Sequence, residues 1–168
     1  MPRSSALPFF IRRSEDVVSA TEVTSTKERT HGLLRLEGGR LFIQWRVART
    51  TDRVGVQIRT DREMDPVQEA VVPLNALAGA RVRWRGLVGW LLGPQIVLTA
   101  ADLRSFESVT GTTGLRLNHP AELALRIRRS DLLPAQEFAS DLNLALADLA
   151  LRSAEEHERQ LGRTKDEG

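Results

Sequence analysis

The sequence predicts a mainly β chain closed by one C-terminal amphipathic helix, and three observations carry that prediction. Between residues 31 and 130, apolar residues recur at period two in short runs, separated by glycine, proline and polar turns. Residues 131–151 switch to the three-and-four spacing of a helix, with Ala135, Phe138, Ala139, Leu142, Leu146 and Leu149 on one face. The connections between the strand runs are short, which makes the neighbours antiparallel. A single apolar-faced helix that follows a run of strands must bury its stripe against the sheet they form.

Taken in order, residues 1–30 are mixed, with a loose opening dozen residues. The β-branched stretch 17–26 reads as one added strand. From Leu33 to Val47 the alternation is sharp, and Gly38-Gly39 divides it into a hairpin. Val54, Val56 and Ile58 repeat the alternation, 60–66 reads as a polar loop, and 67–72 as a strand that Pro73 ends. Leu74 and Leu77 bracket a short turn, and 81–85 and 95–99 read as further strands. Residues 100–109 form a short helix or turn carrying Leu103 and Phe106 inward. Loops at 111–114 and 118–120 precede a last strand through Leu123, Leu125 and Ile127. Pro134 suits the first turn of the helix, and Ser130 or Asp131 is its cap. Beyond Leu151 the stripe fades into a solvated or fraying extension, 155–159.

Composition bounds function by exclusion. A chain of 168 residues fits one domain, and 41% apolar residues are enough for a core. The absence of cysteine removes disulfides, thiolate metal sites and a cysteine nucleophile. His31, His119 and His157 are far apart, so no metal or cofactor is expected. The first residues lack the apolar region of a signal peptide, and glycine, proline and glutamine interrupt 86–100 short of a membrane span. The expectation is a cytoplasmic protein. Net charge is only +2, yet residues 31–130 carry 15 Arg against 9 acids, whereas 131–151 carry 4 acids and no base. All basic residues except Lys27 and Lys165 are arginine, from codon bias or from a need for bidentate partners.

The stretch Val71-Val72-Pro73-Leu74-Asn75-Ala76-Leu77, then Arg81-Val82-Arg83-Trp84, and the ending Glu122-Leu-Ala-Leu-Arg-Ile-Arg-Arg before the helix resemble bacterial pleckstrin-homology-like domains. The resemblance spans 31–151. It implies a bent antiparallel barrel of two orthogonal sheets capped by the helix, with 1–30 as an extension and 152–168 as a charged tail. Phe138 stands where many relatives carry a tryptophan, and Arg35, Arg40 and Arg46 do not match the basic pattern of phosphoinositide-binding members. The resemblance further implies a non-catalytic platform for partners.

Two stretches are candidate binding elements. Arg81, Arg83 and Arg85 lie at period two and project from one face of a strand, either as a cationic row for anions or as a solvated face, with Val82 and Trp84 turned to the core. Leu87, Trp90, Leu91 and Leu92 make an unusually apolar connection, which is core, a contact with a partner or second copy, or a membrane-interface element. Arg46, Arg59, Arg126 and Arg128 also point outward by the alternation. Asp61, Glu63 and Asp65 lack the spacing of a calcium loop, and 111–114 lacks the lysine of a phosphate loop. The expectation is a non-enzymatic binding or scaffold module acting through protein contacts, self-association included. The alternative is a peripheral membrane or polyanion binder. Nucleic acid is not expected, because Tyr is absent and Trp45 and Trp84 fall on core faces.

Overall fold

Glycine alone lets the longest hairpin reverse in two residues. Gly38 and Gly39 sit at φ +56° and +71°, the paired left-handed conformation of a tight hairpin turn, and Glu37 faces Arg40 across it. The structure, a computed structural model, describes residues 5–84, 93–107, 109, 114, 115, 117 and 119–166.

The hairpin joins β2 (Val23–Glu37) to β3 (Arg40–Val54). Before them comes β1 (Ser5–Val18); after them come β4 (Ile58–Met64), β5 (Gln68–Pro73) and a 3-10 turn at Leu74–Ala76. The chain continues through β6 (Leu77–Trp84), β7 (Pro94–Ala100), β8 (Glu122–Arg126), a 3-10 turn at Arg129–Asp131 and the helix α1 (Leu132–Asp166). All pairings are antiparallel, in the order β4-β3-β2-β1-β8-β7-β6. Strand β3 is long enough to take β4 along one half and β5 along the other. A single register pair, Phe10 with Arg126, joins β1 to β8. The fold is mainly β with one C-terminal helix. Among the described residues β4 and β6 end the sheet unpaired with each other, so the closure that a barrel requires is not present.

One face of the sheet carries the core. Leu7 and Phe9 of β1, Leu34 of β2, and Leu41, Ile43, Trp45 and Val47 of β3 are buried with Ile96 and Leu98 of β7 and Leu123 and Leu125 of β8. Ala135, Phe138, Ala139 and Leu142 of α1 close over them, as the helical spacing predicts. The connection between β7 and β8 fills the remaining gap with Phe106, Val109 and Leu115. Its anchor is Gly114, where φ is +87° and an added Cβ would lie 2.3 Å from Val47 Cγ2. The carbonyl of Gly114 accepts a 3.2 Å hydrogen bond from the buried Thr30 hydroxyl.

Several expectations are corrected. From Ser5 onward the opening stretch is not loose: Ser5–Val18 is a strand paired along its whole length with β2. Residues 17–26 are two strand ends and a turn, in which Ser19 bonds back to Glu22. Residues 60–66, read as a loop for want of apolar alternation, mostly belong to β4, because β3 runs on beyond the core and offers its edge. Val56, read as a strand residue, sits in the β3–β4 turn, fully exposed. Leu103 is 66% exposed, whereas Phe106 is fully buried as expected. Trp84 shares the parity of buried Ala80 but is 47% exposed at the strand end. The helix runs fifteen residues past 151. Ala, Glu, Arg and Gln sustain it after the apolar stripe ends, aided by Arg159 with Glu155 at 3.6 Å. Residues 150–160 are exposed throughout.

Candidate binding surfaces

Strand β6 is an end of the sheet, so one of its sides has no ladder partner among the described residues. Helix α1 lies beside that side. Asn143 donates from Nδ2 to the Ala80 carbonyl and accepts at Oδ1 from the Ala80 N–H, both at 2.9 Å. These two bonds show that the peptide groups of Ala80 point off the sheet. Alternation along the strand points those of Val82 the same way. Between β6 and α1 lies a groove of about 480 Å³, lined by Val82, Gln136, Ala139, Ser140, Asn143 and Leu144. It combines an open backbone edge with a small, mixed polar and apolar floor. That arrangement can take an extended peptide.

Arg81 and Arg83 do share one face of β6, as their spacing predicts. Both converge on Glu122 of β8, at 3.0 and 3.8 Å, so part of their charge is met within the chain. Arg85 and the apolar residues Leu87, Trp90, Leu91 and Leu92 lie outside the described residues.

The strands β1–β4 extend past the core as an arm. On the core side of that arm the register alternates charge. Glu28 lies between Arg13 at 3.9 Å and Arg49 at 3.7 Å; Arg49 also reaches Glu63 at 3.8 Å and grips Asp65 through two bonds of 3.1 and 3.3 Å. Arg53 meets Asp61 at 4.0 Å. The acids at 61, 63 and 65 therefore serve arginines.

On the outer side of the arm the register assembles something else. One cross-strand row holds Ser14, Lys27, Thr50 and Arg62; the next holds Arg12, Arg29, Ala48 and Met64; the next holds Phe10, His31 and Arg46, with Arg126 opposite Phe10. No acidic residue stands in these three rows. Arg46 and Arg126 thus join one face. Arg59 falls on the opposite, core-side face, and Arg128 follows β8, exposed. Arg12 and Arg29 were not among the sequence candidates. Only the pairing of β1 with β2, within a stretch expected to be partly loose, brings them together.

Closer to the tip Asp52 accepts bonds from Thr60 at 2.9 Å and Lys27 at 3.2 Å, and these partners, in that order, hold its carboxyl below the usual 3.8. Among the described residues no group of three His, Asp or Glu converges to hold a metal ion. His119 is exposed and accepts at Nδ1 from the Ala121 N–H at 3.2 Å. No helix among the described residues is long and apolar enough to cross a membrane. Comparison of this chain with family models, with curated proteins and with solved structures finds no match.

Proposed function

We propose that this chain is a non-enzymatic, cytoplasmic binding module of pleckstrin-homology-like architecture that acts through protein–protein contacts, self-association included. The observation that carries the reading is the open edge of β6 beside α1, where the Val82 peptide groups face a groove of about 480 Å³. An extended segment of a partner, or of a second copy, adds there as a further strand. Main-chain bonds supply affinity, and side chains alternating into the groove supply selection. The competing reading, a membrane or polyanion binder using Arg81, Arg83, Arg85 and the apolar connection, has less support, since Glu122 already engages two of those arginines.

Panning a random dodecapeptide display library against the full chain tests the proposal, with Val82→Pro as counter-target. Proline removes an N–H that points off the sheet and so spares the β6–β7 ladder. Enriched peptides should bind the parent and lose at least about tenfold against the variant, the cost of one or two lost main-chain bonds. Peptides that bind both equally, or no enrichment from the library together with a single monomeric mass by sedimentation at all concentrations, would overturn the reading.

A further inference from the structure

The two sides of the β1–β4 arm handle charge differently. On the core side Arg13, Glu28, Arg49 and Glu63 alternate across one row, and farther out Arg53, though opposite Arg59, also meets Asp61. On the outer side Arg12 stands directly opposite Arg29, with Lys27 and Arg62 in the row on one side and His31 and Arg46 in the row on the other. Like charges directly opposite each other destabilise a strand pair. Arg12, Arg29, His31, Arg46 and Arg62 are all exposed; the acids bordering them on this face are Asp16 and Asp52 toward the tip, the latter held by Lys27 and Thr60, and Glu69, which accepts from the Gln44 amide beside Arg46. Within the cluster Lys27 pairs with Asp52 and Arg12 lies over the Phe10 ring at 5.5 Å, and a bound polyanion would offset the repulsion that remains.

We propose that this outer face binds single-stranded nucleic acid, with Arg12, Arg29, Arg46 and Arg62 on phosphates and a base seated beside His31. This surface is separate from the β6 groove and does not depend on it. Guanidinium groups favour phosphate because their fixed fork matches two oxygens at once. Same-face rows lie about 7 Å apart along the strands and neighbours about 5 Å apart across them, so several phosphates of one strand are within reach together. Immediately beside the cations is a shallow hollow of about 440 Å³, bordered by His31, Leu33, Gln44 and Arg46. His31 and Arg46 offer planes for stacking, and the Gln44 carbonyl offers an acceptor for a base edge. Tyr is absent and Trp45 is buried, which removes two of the usual stacking rings. Here imidazole and guanidinium planes supply the stacking.

An anionic membrane is the rival partner, since Val18, Val23, Val54 and Ile58 form an exposed aliphatic row on the same face at the arm's tip. Between that row and the cations, however, stand Asp16 and Asp52. A flat lipid surface that touched both would press its phosphates onto two carboxylates, and it would leave the hollow unused.

The test is fluorescence anisotropy of labelled single-stranded RNA and DNA of about 12 nucleotides against the full chain, a length within the usual site sizes of sheet-face binders. With four phosphates neutralised, affinity should fall roughly 50-fold between about 50 and 200 mM salt. Arg29→Glu and Arg46→Glu should each weaken binding at least about tenfold, while Arg59→Glu, the same charge change on the core-side face, should stay within about twofold. Arg29→Glu also turns a like pair into an opposite one, so its Tm should be unchanged or raised. Equal losses in all three variants would reduce the effect to net charge and overturn the proposal. A lowered Tm in Arg29→Glu would make that arginine structural, with the same consequence. Binding to vesicles of phosphatidylcholine and phosphatidylserine, with none to either oligonucleotide, would assign the face to membranes instead.

Discussion

The side-chain amide of Asn143 completes the backbone of Ala80 as a neighbouring strand would, with one bond given and one received, each 2.9 Å. A side chain from α1 thereby caps an edge strand and fixes the helix against it. Asn143→Ala should cost about 1–2 kcal/mol, because two partly buried main-chain groups lose their partner and regain water only incompletely. Urea denaturation should show a lower midpoint at unchanged slope. Asn143→Asp should not restore the parent value, since a carboxylate accepts from the N–H but has nothing to donate to the carbonyl.

Gly114 and Gly38 both have positive φ but differ in what surrounds them. An added Cβ at Gly114 meets Val47 Cγ2 at 2.3 Å and Thr30 Oγ1 at 2.9 Å, while one at Gly38 meets nothing within 4 Å. Gly38→Ala should therefore cost only the left-handed penalty of about 1–2 kcal/mol. Gly114→Ala adds overpacking of about 1–3 kcal/mol and loss of the bond from Thr30. Thermal unfolding of the two variants side by side measures the difference.

Helix α1 divides into a packed half and a projecting half. Phe138 and Leu142 are fully buried, and Phe138→Ala should cost about 3–5 kcal/mol. Ending the chain after Leu151 should change stability by no more than about 0.5 kcal/mol, since residues 150–160 are exposed throughout. Its far-ultraviolet helical signal should fall nonetheless. A large loss of stability on truncation would show that the projecting half packs on something.

Asp52 should titrate below 3.8 by carboxyl nuclear magnetic resonance, through its bonds from Thr60 and Lys27. Its pKa is depressed by folding, so its stabilising contribution is complete above the unfolded value and disappears as pH falls through the folded one. Thr60→Val should move the titration back up. It should also flatten the acid limb of stability between those two values.

How much of this was legible beforehand depends on which physical signal each segment carries. The Gly38-Gly39 hairpin, the strand through Leu123 and Leu125 and the buried stripe of α1 are local: alternation, turn chemistry and helical spacing lie within a few residues and can be read without the fold. Strand β4 was not legible. Its residues, Ile58–Met64, are all exposed, and only the overlong edge of β3 holds them in a ladder. The first strand was hidden for a related reason, since its pairing partner lies across a polar turn at Ser19. The candidate surfaces are tertiary throughout. Period two revealed that Arg81 and Arg83 share a face, but not that Glu122 on another strand meets both. Nor can spacing place Arg12 opposite Arg29 and beside Arg46, because cross-strand register is set by packing of the opposite, apolar face. Local pattern suffices for a mainly β chain closed by an amphipathic helix; which charges are neutralised and which are gathered depends on neighbours far apart in the chain, and so on the tertiary fold.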